Sequence, residues 1–291
     1  MRIGKNYKFK ENILNNTVPK IDKETYRYFQ DLIFQTAGIR VDDSRYSMVC
    51  SRIGKVLRSH RMSHWHEYVD LLKSNPDKIN EFINIMTTNK THFFREKKHF
   101  MLLKEMLIEK KQKIINDNAP NFWVAACSFG QEAYSIAMLL ADLGMHKTQP
   151  RSYRILATDI DTNALSIAKN GIYESEAVEN FISPEQLKKF FFRGKNNHHG
   201  KYKFSDQYAE NIKFRHHNLC DFNSSLPLEF DFIFLRNVLI YFDSDTQYRV
   251  ITKMVNHLKV DGIMFLGHCE SILTMKWDLE PVGPSAYRKQ K

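Results

Sequence analysis

The sequence predicts an α/β protein, a doubly wound and largely parallel sheet preceded by a small all-helical domain. Residues 121–144, NFWVAACSFGQEAYSIAMLLADLG, read as a short apolar strand (122–127), a tight turn at Ser128-Phe129-Gly130 and a helix from Gln131. Ile136, Met138, Leu139, Leu140 and Leu143 keep the spacing of a helix face. A second strand, 153–160, follows, and strands alternate with helices to the end of the chain, the order of an open parallel sheet. Upstream, residues 21–86 carry helical spacing throughout. A strand–turn–helix step puts backbone N–H groups and a helix dipole at the carboxyl edge of the sheet, where such sheets bind cofactors. The second strand ends in Asp159 and Asp161, acids placed either to hold ribose hydroxyls or to cap the next helix.

Composition narrows the class. Hydrophobic residues make up 43% of the chain, ordinary for a folded protein, and no apolar run reaches the ~18 residues of a membrane span. The opening MRIGKNYKFKENILNN lacks the apolar core of a signal peptide. Cys50, Cys127, Cys220 and Cys269 are scattered without metal-ligand spacing, so reduced thiols and a cytoplasmic location are expected. The net charge of +10 favours an acidic partner without naming it.

Residues 1–20 are polar and read as a flexible tail. Tyr26, Phe29, Leu32 and Ile33 form a helix face that stops at Gly38. Asp42, Asp43 and Ser44 offer an N-cap to a helix carrying Met48, Val49, Ile53, Val56 and Leu57. That helix is basic: Arg45, Arg52, Lys55, Arg58 and Arg61 occur with no acid between Ser44 and Arg61. Such a run is either a solvated face or a docking surface. Two short helices, 65–72 and 77–86, complete a helical domain of residues 21–86. Residues 87–119 join it to the sheet domain (120–291), through TTNKTHFFREKKHF and a helix expected over 100–115. Asn89, Thr91 and Arg95 in that linker suit a zwitterion or a carboxylate.

Further on, Ser183 starts a helix that ends in Phe190-Phe191-Phe192, and RGKNNHHG turns into KYKFS. With a strand over 211–218, this reads as an antiparallel insertion, about 172–217. His198, His199, His216 and His217 are expected as two exposed pairs, because no carboxylate or thiol spacing makes them a metal site. Residues 230–237 are apolar nearly throughout, as a central strand requires. Asp243 and Ser244 cap a helix over 245–259, Asp261-Gly262 turns into a strand over 263–268, and 285–289 forms an antiparallel end strand.

Four stretches, TTNKTHFFREKKHF, AACSFGQEAYSIAMLLAD, LATDIDTNALSIAKNGIY and FDFIFLRNVLIYFD, resemble the signature blocks of the CheR family, in the family's order and spacing. The similarity covers about residues 22–288, and the turn's single glycine, Gly130, resembles the family's own version. The resemblance implies a class I methyltransferase sheet and S-adenosylmethionine (SAM) as methyl donor, with S-adenosylhomocysteine as product and no metal. It implies methyl transfer to glutamates of methyl-accepting chemotaxis receptors, by a monomer that neither binds nucleic acid nor inserts into membrane. In some members the β-insertion also grips a receptor C-terminal peptide by strand addition.

Residue by residue, the resemblance places the cofactor among Asn89, Thr91, Arg95, Glu132, Asp159, Asn218, Leu219, Arg236 and Asn237. Glu132 suits the cofactor's ammonium group, Asp159 its ribose, and Asn218 and Leu219 its adenine edge. Arg95 and Tyr241 are the candidates for aligning the acceptor carboxylate, and Arg45, Arg52, Lys55 and Arg58 for contacting the receptor. A glutamate, with a reference pKa of about 4.3, is already a nucleophile at neutral pH, so no general base is required. That agrees with a chain in which no Ser/His/Asp or Cys/His constellation is legible. A nucleic-acid methyltransferase would also suit the basic charge, but no motif for holding an amino group is present.

Overall fold

The computed structural model describes residues 20–109, 119–145, 153–224, 226, 228–272 and 277–291. Most of the expected tail and the far end of the 100–115 helix lie outside these residues. Four helices come first: α1 (Lys23–Ala37), α2 (Tyr46–Ser59), α3 (Trp65–Ser74) and α4 (Asp77–Met86). Asp22 caps α1 by accepting from the Thr25 N–H at 2.8 Å. At the other end Gly38, at φ +68°, turns the chain out of the helix while its N–H closes on Phe34 O. A Cβ at this position would lie 2.4 Å from Cys220 Sγ in the sheet domain, so the glycine also permits close approach. Phe29, Ile33, Ile53 and Phe82 are buried at the centre of this unit. The Phe29 and Phe82 rings stack with centroids 5.8 Å apart.

After α5 (Lys97–Glu109) the chain alternates: β1 (Asn121–Val124), α6 (Gln131–Asp142), β2 (Arg154–Asp159) and α7 (Thr162–Asn170). Then come β3 (Ile172–Glu174), α8 (Ser175–Glu179), α9 (Pro184–Phe190), β4 (Phe191–Arg193), β5 (Lys201–Phe204), α10 (Asp206–Ala209) and β6 (Ile212–His216). The chain ends with β7 (Phe230–Leu235), α11 (Ser244–His257), β8 (Leu258–Leu266), β9 (Leu279–Gly283) and β10 (Ala286–Lys289). Among the described residues the main sheet runs β6-β2-β1-β7-β8-β10-β9. β6, β2, β1, β7 and β8 are parallel, and β10 and then β9 add antiparallel.

The strand period of two sorts the core. Phe122, Val124, Phe232, Phe234, Ile263 and Phe265 face one layer, with α5, α6 and the small sheet. Trp123, Ile233, Leu235, Met264 and Leu266 face the other, with α11. Both faces of the central strands are covered, which is why residues 232–235 are apolar without alternation. Among the described residues no helix is long and apolar enough to cross a membrane.

Three details differ from the sequence reading. The strand at 211–218 does not belong to the insertion: β6 pairs parallel with β2 and forms an edge of the main sheet. The antiparallel sheet is instead β3-β5-β4. The sequence does not predict β9, because LEPVG carries a proline and an acid, which an edge strand tolerates but which leave no strand pattern. His217 is buried rather than exposed, its Nε2 lying 3.2 Å from Lys253 Nζ. Burial and that neighbouring charge hold its pKa down at about 4.

Candidate active site

The turn after β1 is drawn onto the end of β2. The Cys127 N–H donates to Thr158 O at 2.9 Å, and the Ser128 N–H donates to Asp159 Oδ2 at 2.7 Å. Asp159 Oδ1 accepts from the Asp161 N–H at 2.9 Å. Gly130, at φ +88°, then starts α6; a Cβ there would sit 2.9 Å from the Ala168 Cβ, so only glycine lets α6 and α7 approach this closely. Burial pushes the Asp159 carboxyl up to about 6, although the Asp161 and Ser128 amides pull the other way.

The two acids at the end of β2 divide the work. Asp161 caps α7, accepting from the Asn163 and Ala164 amides at 2.9 and 3.0 Å. Its other oxygen accepts from Thr87 Oγ1 and Asn89 Nδ2, each at 2.6 Å. Asp161 therefore ties the linker to the sheet, while Asp159 lines the cleft.

The centre of the cleft is a buried guanidinium. Arg236, 6% exposed at the end of β7, bridges Glu132 through Nη1 and lies 2.9 Å from Glu96 Oε2 through Nη2. Nη2 also donates to Arg95 O at 2.6 Å. Burial alone would raise the Glu96 pKa, but the Arg236 guanidinium and hydrogen bonds from Asn237 and the His268 amide take it below the usual carboxylate value. For Glu132 burial outweighs the same guanidinium, and its pKa stays raised.

Arg95 itself sits in a strained turn, flanked by Phe94 at φ +50° and Glu96 at φ +60°, and its Nη1 donates to Lys90 O at 2.6 Å. The following turn is held by one buried carboxylate. Glu270 accepts from the Asn237, Leu239 and Gly267 amides at 2.8, 2.8 and 2.7 Å. Asn237, at φ +58°, and the short turn that carries Tyr241 thus hang from Glu270.

Asn89, Thr91, Arg95, Glu132, Asp159, Asn218, Leu219, Arg236, Asn237 and Tyr241 all line this one cleft. Of the basic candidates on the helical unit, Arg45 lines it too, its guanidinium 5.5 Å from the Tyr241 ring centroid. The Asn218 amide is committed elsewhere: Nδ2 donates to Thr36 O at 2.6 Å and Oδ1 accepts from the Cys220 N–H at 2.9 Å. Arg52 points away from a receptor-facing role. Its Nη1 donates to Met86 O and Thr87 O at 2.7 and 2.6 Å, and Nη2 to Thr88 Oγ1 at 2.9 Å. It caps α4 and fixes the start of the linker. Lys55 and Arg58 are exposed.

Sequence reasoning missed Glu96, Asp161's tie to the linker and Glu270. Glu96 adjoins Arg95 and was open to notice; Glu270 sits in an aperiodic stretch, GHCE, that gives no signal.

Comparison with known proteins follows the same lines. Residues 24–87 match the family described as CheR methyltransferase, all-alpha domain, and residues 89–287 match CheR methyltransferase, SAM binding domain. The chain is 38% identical to a chemotaxis protein methyltransferase of Escherichia coli (strain K12), over 91% of each chain. It is 36% identical to the protein of the same name from Salmonella typhimurium, over 91% of this chain and 90% of that one. To chemotaxis protein methyltransferase 2 of Pseudomonas aeruginosa it is 34% identical, over 91% and 92%. With both domains matched in order across nearly its whole described length, and the cleft formed between them, this chain belongs to the CheR methyltransferase family.

Proposed function

We propose that the protein transfers a methyl group from SAM to glutamate side chains of methyl-accepting chemotaxis receptors, giving glutamate methyl esters and S-adenosylhomocysteine and so serving sensory adaptation. The observation that carries this reading is the cleft that joins both family domains and is lined by Glu132 and Asp159 together with Arg95 and Tyr241. The cleft fits SAM by the chemistry of its donor set. Glu132 offers a carboxylate to an ammonium, and Asp159 has lone pairs beyond the two amides it already accepts. Ser128 Oγ and Gln131 Oε1, at the turn below, are buried without a hydrogen-bond partner. Leu219 supplies an apolar wall for the base, and the main chain at Asn218 serves its edge, since the Asn218 amide is spent on the domain junction.

When bound, SAM supplies a methyl carbon already activated by its sulfonium. The chain's own task is then orientation and exclusion of water, a term that can reach roughly 7–11 kcal/mol. Arg95 holds the incoming carboxylate, its own position set by Lys90 O and by the turn anchored on Arg236. Tyr241, beside Arg45, lines the same cleft. No proton need be moved, because the acceptor is ionised at neutral pH.

The test is transfer of radioactive methyl from SAM to receptor-bearing membranes and to RNA. Base-labile label on the receptor alone supports the reading; base-stable label on RNA overturns it. Replacing Asp159 by Ala is expected to weaken SAM binding by about 1–3 kcal/mol, the scale of a lost buried acceptor. In the wild type, affinity should be flat above neutrality and fall as pH drops through about 6, because the Asp159 carboxylate that accepts from the ribose is then protonated. Calorimetry across that range checks both; a wild-type affinity in Asp159→Ala would remove the residue from the site.

Receptor contact is assigned to Lys55 and Arg58 on α2, with Arg45 at the cleft edge, facing an acidic helical bundle. Exposed charges contribute about 0–1 kcal/mol each, so Lys55→Glu with Arg58→Glu should raise the receptor KM several-fold at low salt and leave SAM affinity unchanged. An unchanged KM would make this a solvated face. A change at Arg52 would instead probe the α4 cap. The free edge of β4, where Phe192 is 63% exposed, is suited to a receptor peptide added as a strand.

A further inference from the structure

His99, in the first turn of α5, is fully buried, and its Nε2 lies 2.8 Å from Pro284 O. A carbonyl only accepts, so Nε2 carries the proton and Nδ1 a lone pair. Nδ1 has no hydrogen-bond partner, and it faces Glu96 Oε2 at 3.4 Å. His268, just past β8, brings its Nε2 to 3.8 Å from the same oxygen. The three ligand atoms all lie within 4.8 Å of one another.

We propose that Glu96, His99 and His268 form a binding site for a divalent transition-metal ion of the Zn2+ type, which restrains the enzyme and takes no part in methyl transfer. Two imidazoles and a carboxylate are a donor set that Zn2+ favours, with ligand bonds of about 2.0–2.2 Å. Donors at that radius around one ion stand a little over 3 Å apart; the two distances to Glu96 Oε2, 3.4 and 3.8 Å, are near this, and a small turn of the half-exposed His268 ring closes the rest. The bond from His99 Nε2–H to a backbone carbonyl is the support a metal-bound imidazole ordinarily has, fixing both tautomer and ring plane. The His268 side chain is 42% exposed, so an ion has a way in and water a place to complete the coordination.

The ion would compete with Arg236, which now lies 2.9 Å from Glu96 Oε2. Arg236 keeps Glu132 and the Arg95 carbonyl when Glu96 turns away, so the fold survives. The Arg95–Glu96 turn and the Glu96–Asn237 contact loosen. Metal binding and cofactor binding should therefore oppose each other.

Tag-free protein would be titrated with Co2+ and Zn2+, followed by the visible Co2+ spectrum and by calorimetry, without receptor. Expected is one ion per chain, with a tetrahedral-type Co2+ spectrum and SAM affinity reduced several-fold by saturating Zn2+. His268→Gln, a change at a half-exposed position, should weaken ion binding about tenfold or more and abolish the effect on SAM. His198→Gln with His199→Gln, on the exposed pair elsewhere, should change neither. Absence of stoichiometric binding, or equal affinity in His268→Gln, overturns the proposal. Because the readout needs no methyl acceptor, its failure is separable from failure of the receptor assignment.

Discussion

Arg236→Met is expected to destabilise the protein by about 3–5 kcal/mol, the cost of leaving a buried charge without its partner. The guanidinium stands between Glu96 and Glu132, and removing it leaves two carboxylates in a site with little solvent. Urea unfolding at neutral pH checks the size. The loss should shrink as pH is lowered towards 5. The orphaned carboxylates of the variant have raised pKa values in the folded state, so acidification neutralises them there before it does in the unfolded chain. Arg236→Lys, which keeps the charge but cannot span both acids and the Arg95 carbonyl, should fall between. A variant that unfolds with the wild type at every pH would show that the charge cluster contributes nothing.

Arg95→Ala should leave the fold intact and lower kcat by about 10²–10³-fold, the range for removing one positioned donor from a reacting centre. The effect on SAM affinity should be much smaller, because Glu132 and Asp159 remain. Arg95 is half-buried, and its strained turn is held through its backbone carbonyl by Arg236, so alanine forfeits only the guanidinium's bond to Lys90 O. Tyr241→Phe should follow the same pattern at smaller amplitude. Comparing kcat on receptor membranes with the Kd for SAM separates the roles. If the two fell together in Arg95→Ala, the residue would be a cofactor ligand alone.

Much of this arrangement was legible. The strand–turn–helix at 122–142 and the acid ending β2 follow from local rules: apolar continuity where both faces are covered, glycine where φ is positive, an acid at a strand end. Helices α1 to α4 follow from periodicity and from the stop at Gly38, although Asp42 caps a 3-10 turn (Asp43–Arg45) that leads into α2 and α2 itself starts without a side-chain cap. What escaped the sequence depends on groups far apart in it. Arg52 reads as one cation in a basic run, and only the fold puts the end of α4 within its reach. His217 looks like half of an exposed pair, but the chain crosses from β6 into the interior between the two histidines. β6 has the same local character whether it closes an insertion or lies against β2. Glu270 has no pattern at all; its role comes from three amides that a tight turn after β7 and the end of β8 leave pointing at one place.

The junction at the end of α1 has a consequence for how the two units behave as a whole. Thr36 O and Ala37 O accept from Asn218 Nδ2 and Cys220 Sγ, and Arg40 N–H donates to Tyr241 O at 2.8 Å. The last carbonyls of a helix, normally left to water, are thus satisfied by the segment at Asn218–Cys220 that borders the cleft, and the next loop is stitched to the turn carrying Tyr241. A ligand that orders this segment strengthens the bond between the units, and separating the units disorders the ligand's pocket. The two units should consequently melt in one transition that moves upward with SAM concentration, and the sheet domain expressed alone should have lost its grip on the cofactor. A chimaera carrying another protein's helical unit would have to preserve Gly38 and the carbonyls before it, a requirement no inspection of the catalytic blocks would disclose.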